Sequence, residues 1–263
     1  MELDLSGKAA VVTGSSRGLG REVAVALSAR GADMVLFARD GQSLEETAEM
    51  VKRNGRDPLA VAGDVSSPQD IDSLKVASKE RFGNISILVN AAGTFGPIAL
   101  VTDSDPLDWI NTVLTNAVGP YLTSHAFVPD MVAAGWGRVV NVSSAAAFMD
   151  PGPLNSAYSV SKAALNRFTR HLSSELAGTG VTANVLHPGS LRTPMWSDIR
   201  SKVQTVPAAT VLRGWVELVD ETGGDSMEEA VSLILSLLDP ASTINGEFCW
   251  PDNMVISDPI PSW

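Results

Sequence analysis

A tyrosine and a lysine four residues apart are the side chains of this sequence whose types and spacing could do chemistry. Tyr158 and Lys162 stand in the stretch YSVSK, within a pattern that predicts a helix over about residues 157–177. At this spacing the phenol and the ammonium share one helix face. A cation beside a phenol favours the phenolate and lowers a pKa that is ordinarily about 10. We therefore expect Tyr158 to have a pKa well below that of a free phenol and to exchange a proton with a carbonyl or alcohol oxygen.

A glycine-rich turn near the N-terminus could hold a phosphate-bearing ligand. The apolar run KAAVVT at residues 8–13 predicts a strand, and TGSSRGLG at residues 13–20 follows it. Leu19, Val23 and Leu27 then lie on one face of a predicted helix. Glycines in such a turn allow close backbone approach, and the helix start offers free N–H groups to a pyrophosphate. A glycine-rich turn can also be an ordinary loop, but the strand–turn–helix context favours dinucleotide binding.

Taken together, these motifs resemble the short-chain dehydrogenases/reductases, in their single-domain branch. TGSSRGLG, NAAG at residues 90–93, a lone Asn116, Ser143-Ser144, YSVSK and HPGSLRTP at residues 187–194 follow the order and spacing of that family. The likeness covers about residues 5–250. It implies an α/β fold of the Rossmann type, with a doubly wound parallel sheet of about seven strands in a single domain over residues 1–263.

The resemblance implies a role for each of four catalytic residues. Lys162 would hold the nicotinamide ribose and depress the pKa of Tyr158, which would donate the proton in reduction and accept it in oxidation. Ser144 would hydrogen-bond the substrate oxygen; Ser143 is the alternative, and the family spacing to Tyr158 favours Ser144. Asn116 would hold a water that links Lys162 to solvent.

A larger set of residues is implied to bind the cofactor through the glycine turn, the strand ends and the nicotinamide segment. Its members are Gly14, Ser16, Arg17, Gly18, Leu19, Gly20, Arg39, Asp64, Val65, Asn90, Ala91, Gly93, Tyr158, Lys162, Pro188, Gly189 and Thr193. The family more often has a second asparagine where this chain has Ala91, a variation that leaves binding intact.

The end of the second predicted strand indicates which nicotinamide cofactor is used. Ala38 stands where NAD-using relatives carry an aspartate that binds the adenosine ribose. Arg39 follows, and Arg17 lies in the glycine turn, so two guanidinium groups could clamp a 2′-phosphate. Arg39 could instead be a solvated turn residue, and Asp40 weakens the positive field. We expect NADP(H) rather than NAD.

Composition limits the other possibilities. A net charge of −11 over 263 residues argues against nucleic acid or an anionic membrane as partner. The single Cys249 excludes an intramolecular disulfide and is expected to pack rather than to react. Neither a signal peptide nor an apolar run of about 20 residues is present, so the expected location is the cytoplasm. The three histidines lack ligand spacing, so no metal is expected.

Alternating strand and helix patterns predict a parallel sheet covered on both faces. The predicted strands are residues 9–13, 33–38, 59–62, 85–90, 138–142, 182–186 and 247–250. One long helix is predicted over residues 106–134. Residues 191–224 are expected to form a substrate lid, with a packed pair of short helices as the alternative. The tail at residues 251–263 departs from the family pattern and leaves the details of assembly and pocket closure open.

The sequence as a whole predicts an NADP(H)-dependent carbonyl reductase or alcohol dehydrogenase. A non-catalytic NADP-binding regulator or scaffold of the same fold is the alternative, since fold does not fix function. A nucleotide-sugar epimerase or dehydratase fits the length and the glycine spacing less well. Met195, Trp196 and Trp215 favour a small apolar carbonyl or alcohol as substrate. The two long helices predict a homotetramer, with a dimer as the alternative.

Overall fold

Eight strands form one sheet in the part of the chain that this computed structural model describes, residues 3–148, 152–251 and 255–256. The strands are β1 (Ala9–Thr13), β2 (Asp33–Ala38), β3 (Leu59–Ala62), β4 (Ile87–Asn90), β5 (Gly137–Val142), β6 (Val181–Leu186), β7 (Phe248–Cys249) and β8 (Val255–Ile256). Their order in the sheet is β3-β2-β1-β4-β5-β6-β7-β8. The first seven run parallel, which confirms the predicted fold. The antiparallel β8 is an addition that the sequence did not predict.

Helices cover both faces of the sheet. They are α1 (Gly18–Ala29), α2 (Gly41–Arg53), α3 (Pro68–Phe82), α4 (Pro106–Val113), α5 (Gly119–Ala133), α6 (Ser156–Glu175), α7 (Pro194–Val203), α8 (Thr210–Thr222) and α9 (Met227–Leu238). One apolar core joins α1, α2 and α9 to the sheet, and a second joins α3, α5 and α6 to the opposite face.

The central strands are mainly apolar because both faces of the sheet are covered. Along β1, Val12 belongs to the core under α1, and its neighbour Val11 belongs to the core under α5. Along β2, Leu36 belongs to the core under α1, and Phe37 belongs to the core under α5. Successive side chains of a strand point to opposite faces, so a strand buried on both sides needs an unbroken apolar run.

The sheet opens a crevice where its strand order reverses. β1 pairs with β2 on one side and with β4 on the other, so the connections leaving β1 and β4 diverge. In open parallel sheets such a reversal leaves a crevice outside the carboxyl ends of the strands, and this is where ligands bind. The turn at residues 14–17 and the segment after Asn90 both lie at this edge.

The prediction of one continuous helix over residues 106–134 is wrong. A π-helical segment, Leu114–Val118, separates α4 from α5, and the Gly119 N–H donates to the Leu114 carbonyl five residues back. Pro120 has no N–H to donate to the Asn116 carbonyl, so the regular hydrogen-bond ladder cannot pass this point. The break lies at the residue that the sequence marked as catalytic.

The segment predicted as a lid consists of two packed helices. In α7 and α8, Ile199, Val203 and Val216 form a small apolar cluster with Leu154 and Ala209. The alternative interpretation, a pair of short helices, therefore describes the local structure of this segment. Its position over the crevice remains consistent with a lid. Of the predicted tail, only residues 251, 255 and 256 are among the described residues.

Candidate active site

One cavity of about 800 Å³ lies at the carboxyl edge of the sheet. It extends from the glycine turn after β1, past Tyr158 on α6, to the inner sides of α7 and α8. All the residues predicted for catalysis or cofactor binding line it except Asn90 and Asn116. The fold therefore brings the glycine turn and the Tyr158–Lys162 pair, which are about 140 residues apart in sequence, to one cavity.

The glycine turn is shaped for close approach of a ligand. Gly14 has φ +68°, and a Cβ placed on it would lie 2.7 Å from the backbone of Ala92. The Gly14 N–H donates to the Phe37 carbonyl, which fixes the turn against β2. No side chain caps the start of α1, so its N-terminal N–H groups have no side-chain partner. These features fit a pyrophosphate at this end of the cavity.

Three polar side chains hold the turn in this shape, and the sequence analysis missed them. The Ser15 hydroxyl accepts from the Phe37 N–H at 3.0 Å, and the Thr47 hydroxyl donates to the Ser15 carbonyl at 2.9 Å. The Arg21 Nε donates to the Ser16 carbonyl at 3.0 Å. These bonds connect the turn to α1, α2 and β2. An arginine directly after the last glycine of the turn was the available sequence signal.

The far end of the cavity carries two exposed arginines beside β2. Arg17 and Arg39 both line it, and the side chain of Arg39 is 73% exposed, with its Nη1 4.0 Å from the Asp64 carboxylate. The Asp40 carboxylate accepts from the Ser43 N–H at 3.1 Å and caps α2. Ser43 therefore lowers the pKa of Asp40 through backbone and side-chain hydrogen bonds, and Arg17 adds to the effect. Asp40 is engaged by the helix start.

Tyr158 is partly buried beside Ser144 and Phe95. Its ring centroid lies 4.7 Å from that of Phe95. Burial raises the pKa of Tyr158, and a hydrogen bond with the Ser144 hydroxyl lowers it by less. The expectation of a pKa well below that of a free phenol is therefore wrong for this structure. The free-energy cost of removing the phenolate from water is larger than the stabilisation that its neighbours give to the phenolate.

The two serines after β5 have different surroundings. Ser143 is buried, and its hydroxyl donates to the Lys162 main-chain carbonyl at 3.5 Å. Ser144 is partly exposed to the cavity, where its hydroxyl bonds the phenol of Tyr158 and accepts from the Ala146 N–H at 3.2 Å. Only Ser144 is hydrogen-bonded to the predicted proton donor, which favours it over Ser143 as the substrate-binding hydroxyl.

Lys162 is only 4% exposed, although it carries an ammonium group. Its Nζ donates to the Val142 carbonyl at 2.8 Å and lies 5.7 Å from the centroid of the Tyr158 ring. Burial lowers the pKa of Lys162 to about 8. Lys162 thus lies on the same side of α6 as the phenol. The hydrogen bond to Val142 compensates only part of the cost of removing its ammonium group from water.

Asn116 supports the site from behind the cavity wall. It is buried in the π-helical segment, where its Oδ1 accepts from the Thr94 N–H at 2.9 Å. Its Nδ2 donates to the Thr94 carbonyl and to the Ser161 hydroxyl. A Cβ on Gly93 would lie 3.3 Å from the Asn116 Oδ1 and 3.7 Å from the Lys162 Nζ. Asn116 and Lys162 therefore flank the same glycine, although Asn116 does not line the cavity.

The side chain of Asn90, a predicted cofactor contact, does not line the cavity. Its side chain is buried in a network below the cavity: its Nδ2 donates to the Asn141 Oδ1 at 2.9 Å, and its Oδ1 accepts from the Thr123 hydroxyl at 2.8 Å. Asn141 in turn donates to the Thr169 hydroxyl. These bonds use the amide of Asn90 to connect β4 and β5 with α5 and α6, so it positions strands instead of lining the site.

The segment after β6 is held by an aspartate that the sequence analysis did not single out. Pro188, Gly189 and Thr193 line the cavity as predicted. The Asp225 Oδ2 accepts from the Ser190 N–H, and a Cβ on Gly189 would lie 2.7 Å from the Asp225 side chain. Asp225 follows the two glycines that end α8, so it fixes the segment against that helix. No simple sequence pattern marks such a long-range contact.

Burial shifts the pKa of two other titratable residues near the site, the partly buried His187 and the buried Cys249. Burial lowers the pKa of His187 to about 4, which Asp225 opposes in part. Burial raises the pKa of Cys249 to about 11, as expected for a cysteine that packs. Within the described ranges, no group of histidine, cysteine and acidic side chains could hold a metal ion. No helix in that part of the chain is long and apolar enough to cross a membrane.

Because burial penalises the charged form of Lys162, its replacement should stabilise the fold. The penalty is complete below pH 8 and disappears as the pH rises from about 8 towards the ordinary lysine value of 10.5. We expect Lys162→Met to raise the free energy of unfolding at neutral pH by about 1–3 kcal/mol, less at alkaline pH. Urea unfolding across this pH range measures it. Lys79→Met, at an exposed lysine, is the control and should give no such pH-dependent gain in stability. A loss of stability in Lys162→Met would contradict the conclusion that burial penalises the charged form of Lys162.

The fold and the cavity define a nucleotide-binding α/β protein of the Rossmann type, and comparison with known families agrees. The family model described as short chain dehydrogenase matches residues 8–204. The chain belongs to the short-chain dehydrogenase family, whose members bind nicotinamide cofactors, and oxidoreduction is its class of reaction.

Relatives of known sequence and structure support the same membership. The chain is 35% identical over 202 residues to the short chain dehydrogenase pigC of Monascus ruber. This match covers 73% of this chain and 65% of the relative. It is 34% identical over 198 residues to a 3-oxoacyl-acyl-carrier-protein reductase of Pseudomonas aeruginosa, covering 75% and 79% of the two chains. The structure of L-sorbose reductase from Gluconobacter frateurii, complexed with NADPH and L-sorbose, superposes with a TM-score of 0.84 at 28% identity and covers 95% and 97%.

Proposed function

We propose that this chain is an NADP(H)-dependent oxidoreductase that interconverts an apolar ketone or aldehyde and the corresponding alcohol. The observation that supports this most strongly is the shared cavity. It joins the uncapped start of α1 to the buried phenol of Tyr158, with Ser144 and Lys162 beside that phenol. Bound NADPH would supply the hydride, so that a carbonyl, one NADPH and one proton give an alcohol and NADP⁺.

Tyr158 gives the proton to the carbonyl oxygen in this proposal. Its raised pKa keeps the phenol protonated at neutral pH, which is the form that reduction requires. The Ser144 hydroxyl, already hydrogen-bonded to the phenol, is placed to bond the same substrate oxygen. In the reverse direction Tyr158 accepts the proton, and the charge of the Lys162 ammonium favours the resulting phenolate.

The proposed preference for NADP rests on charge at the end of β2. Ala38 places no carboxylate at this point, and Asp40 is occupied as the cap of α2. Arg17 and Arg39 line the cavity there and are exposed to bind a 2′-phosphate. The similar L-sorbose reductase, which was crystallised with NADPH, adds support from a relative.

An apolar substrate is proposed because of the cavity wall on the far side of Tyr158. Trp196, Trp215, Ile199 and Leu212 contribute to this wall from α7 and α8, the segment that we propose acts as a lid. The only cysteine of the chain is the buried Cys249, consistent with the reducing cytoplasm as the proposed location.

A panel of ketones and alcohols, followed by NADPH absorbance, tests this function. We expect consumption of NADPH with apolar or aromatic ketones and formation of NADPH with the matching alcohols and NADP⁺. Binding of NADPH without turnover across the whole panel would contradict the proposal and favour a non-catalytic regulator or scaffold.

We further propose a homotetramer, with a dimer as the alternative, assembled through α4, α5 and α6. Leu107 and Ile110 on α4, and Tyr121 on α5, are large and exposed. Light scattering at micromolar concentration should give an oligomeric mass, and the pair Leu107→Asp with Ile110→Asp should reduce it. Val76→Asp, at an exposed site on α3, is the matched control and should not. A monomeric parent protein would refute the assembly.

A further inference from the structure

Four residues of α6 and its start form one face toward the cavity. Asn155, Tyr158, Ser159 and Lys162 follow the spacing i, i+3, i+4, i+7, and all four line the cavity. Tyr158 and Lys162 have roles in the proposed reaction. Asn155 lies one helical turn before Tyr158, and Ser159 directly follows it, so both are close to any carbonyl that the phenol protonates.

The oxygens of these two side chains are buried without a partner. Neither the Asn155 Oδ1 nor the Ser159 Oγ makes a hydrogen bond with any described residue. Other hydroxyls of the same helix bond back to its carbonyls: Ser161 to that of Tyr158, and Thr169 to that of Leu165. Asn155 stands at the N-cap position, yet its side chain does not cap the helix. Buried polar groups are nearly always hydrogen-bonded to protein, water or a ligand, so these two oxygens are available to a molecule that enters the cavity.

Further unpartnered polar atoms belong to the same cavity wall. The His187 Nδ1, the Trp196 Nε1 and the Trp250 Nε1 are buried and lack hydrogen-bond partners within the described part of the chain, and all three residues line the cavity. Each of these groups is uncharged, His187 because burial depresses its pKa to about 4. The wall is therefore apolar in its bulk, with several neutral hydrogen-bonding groups.

Two arginines of the lid segment bond to α8 and do not face the cavity. Arg192 donates to the carbonyls of Val219 and Asp220, and Arg200 pairs with the Asp220 carboxylate at 2.8 Å. Neither arginine lines the cavity. A carboxylate or phosphate on the substrate would find no arginine among the described lining residues of this end, whereas a hydroxyl or carbonyl oxygen would find neutral partners.

We propose that Asn155 and Ser159 bind a second, uncharged oxygen on the carbon next to the reacting carbonyl. The substrate class is then a hydroxyketone or a dione on an apolar skeleton. This inference rests on the proposed function, because Tyr158 defines where the reacting carbonyl lies. The two side chains supply both a donor and an acceptor, so they can recognise a neighbouring hydroxyl or a neighbouring carbonyl.

Three aromatic ketones with one skeleton provide the kinetic test. Benzil has a carbonyl beside the reacting carbonyl, benzoin a hydroxyl, and deoxybenzoin a methylene group. We expect the parent protein to show a kcat/KM for benzil and benzoin about ten-fold or more above that for deoxybenzoin. Asn155→Leu and Ser159→Ala should each lower this ratio about three- to ten-fold, mainly through KM. Benzoylformate, with a charged neighbouring group, should be a poor substrate.

Ser174→Ala, at an exposed serine of the same helix, is the control and should keep the parent ratio. An unchanged ratio in both cavity variants would overturn the inference, as would a loss confined to the KM for NADPH. Calorimetry with benzil and deoxybenzoin on the protein alone gives a readout without turnover. If the parent binds benzil more tightly and Ser159→Ala removes the difference, but no ketone is reduced, the proposed function fails while the binding site stands. Equal affinity of the parent for both ligands overturns the site.

Discussion

Replacing Tyr158 with phenylalanine is expected to lower kcat for ketone reduction by about 10²–10⁴-fold. The change removes one oxygen and keeps the ring that packs against Phe95. The substrate oxygen then loses the hydroxyl that would give it a proton, and Ser144, which is hydrogen-bonded to the phenol, is a far weaker acid. Steady-state kinetics should show the loss in kcat, with little change in the affinity for NADPH.

The other tyrosine of the chain provides the matched control. Tyr121 is exposed on α5, and Tyr121→Phe removes the same oxygen at a distance from the cavity, so kcat should be that of the parent. If Tyr158→Phe reduces a good ketone within a few-fold of the parent rate, Tyr158 is not the proton donor. The regulator or scaffold alternative would then gain support.

Changing the charge at the end of β2 is expected to move cofactor preference from NADP toward NAD. Arg39→Ala removes one exposed guanidinium from the cavity, and Ala38→Asp adds a carboxylate that binds a ribose diol and repels a 2′-phosphate. A hydrogen bond to a charged group contributes about 1.5–3 kcal/mol, so the double variant should bind NADP at least about ten-fold more weakly. The ratio of kcat/KM for NADPH and NADH measures the shift.

Arg39→Ala alone separates loss of the phosphate contact from any damage caused by a carboxylate at the buried Ala38. Arg53→Ala, at an exposed arginine at the end of α2, is the control and should leave the preference unchanged. Equal kcat/KM for NADPH and NADH in the parent protein would contradict the proposed clamp of Arg17 and Arg39.

Much of the fold could be predicted because local patterns and buried strands coincide. The bounds of β1, β2 and β3 agree residue for residue with the predicted strands, and β4, β5 and β6 agree within two residues. A parallel strand covered on both faces is an apolar run bounded by turn residues, which is a strong local signal. The glycine turn and the YSVSK stretch are also local, so the site residues that they contain were identified.

Features that depend on tertiary contacts were not predictable in the same way. The helix break at Leu114–Val118 had a local signal, the Gly119-Pro120 pair, that helical periodicity concealed. The network around Asn90 depends on neighbours from three other elements. The pKa of Tyr158 depends on how deeply the fold buries the phenol, whereas the sequence showed only the neighbouring lysine. The spacing of residues shows which charged groups lie near the phenol. The depth of burial decides whether the cost of removing the phenolate from water exceeds the stabilisation by those groups.

Transfer of deuterium from labelled NADPH to a ketone tests whether this protein catalyses hydride transfer between the nicotinamide and a carbonyl carbon. The protein is incubated with benzil and NADPH that carries deuterium on one or the other face of the nicotinamide ring, and the product is examined by mass spectrometry. We expect benzoin with one deuterium on the carbinol carbon from only one of the two labelled cofactors. Absence of product, or product without deuterium from both cofactors, would contradict hydride transfer at this site.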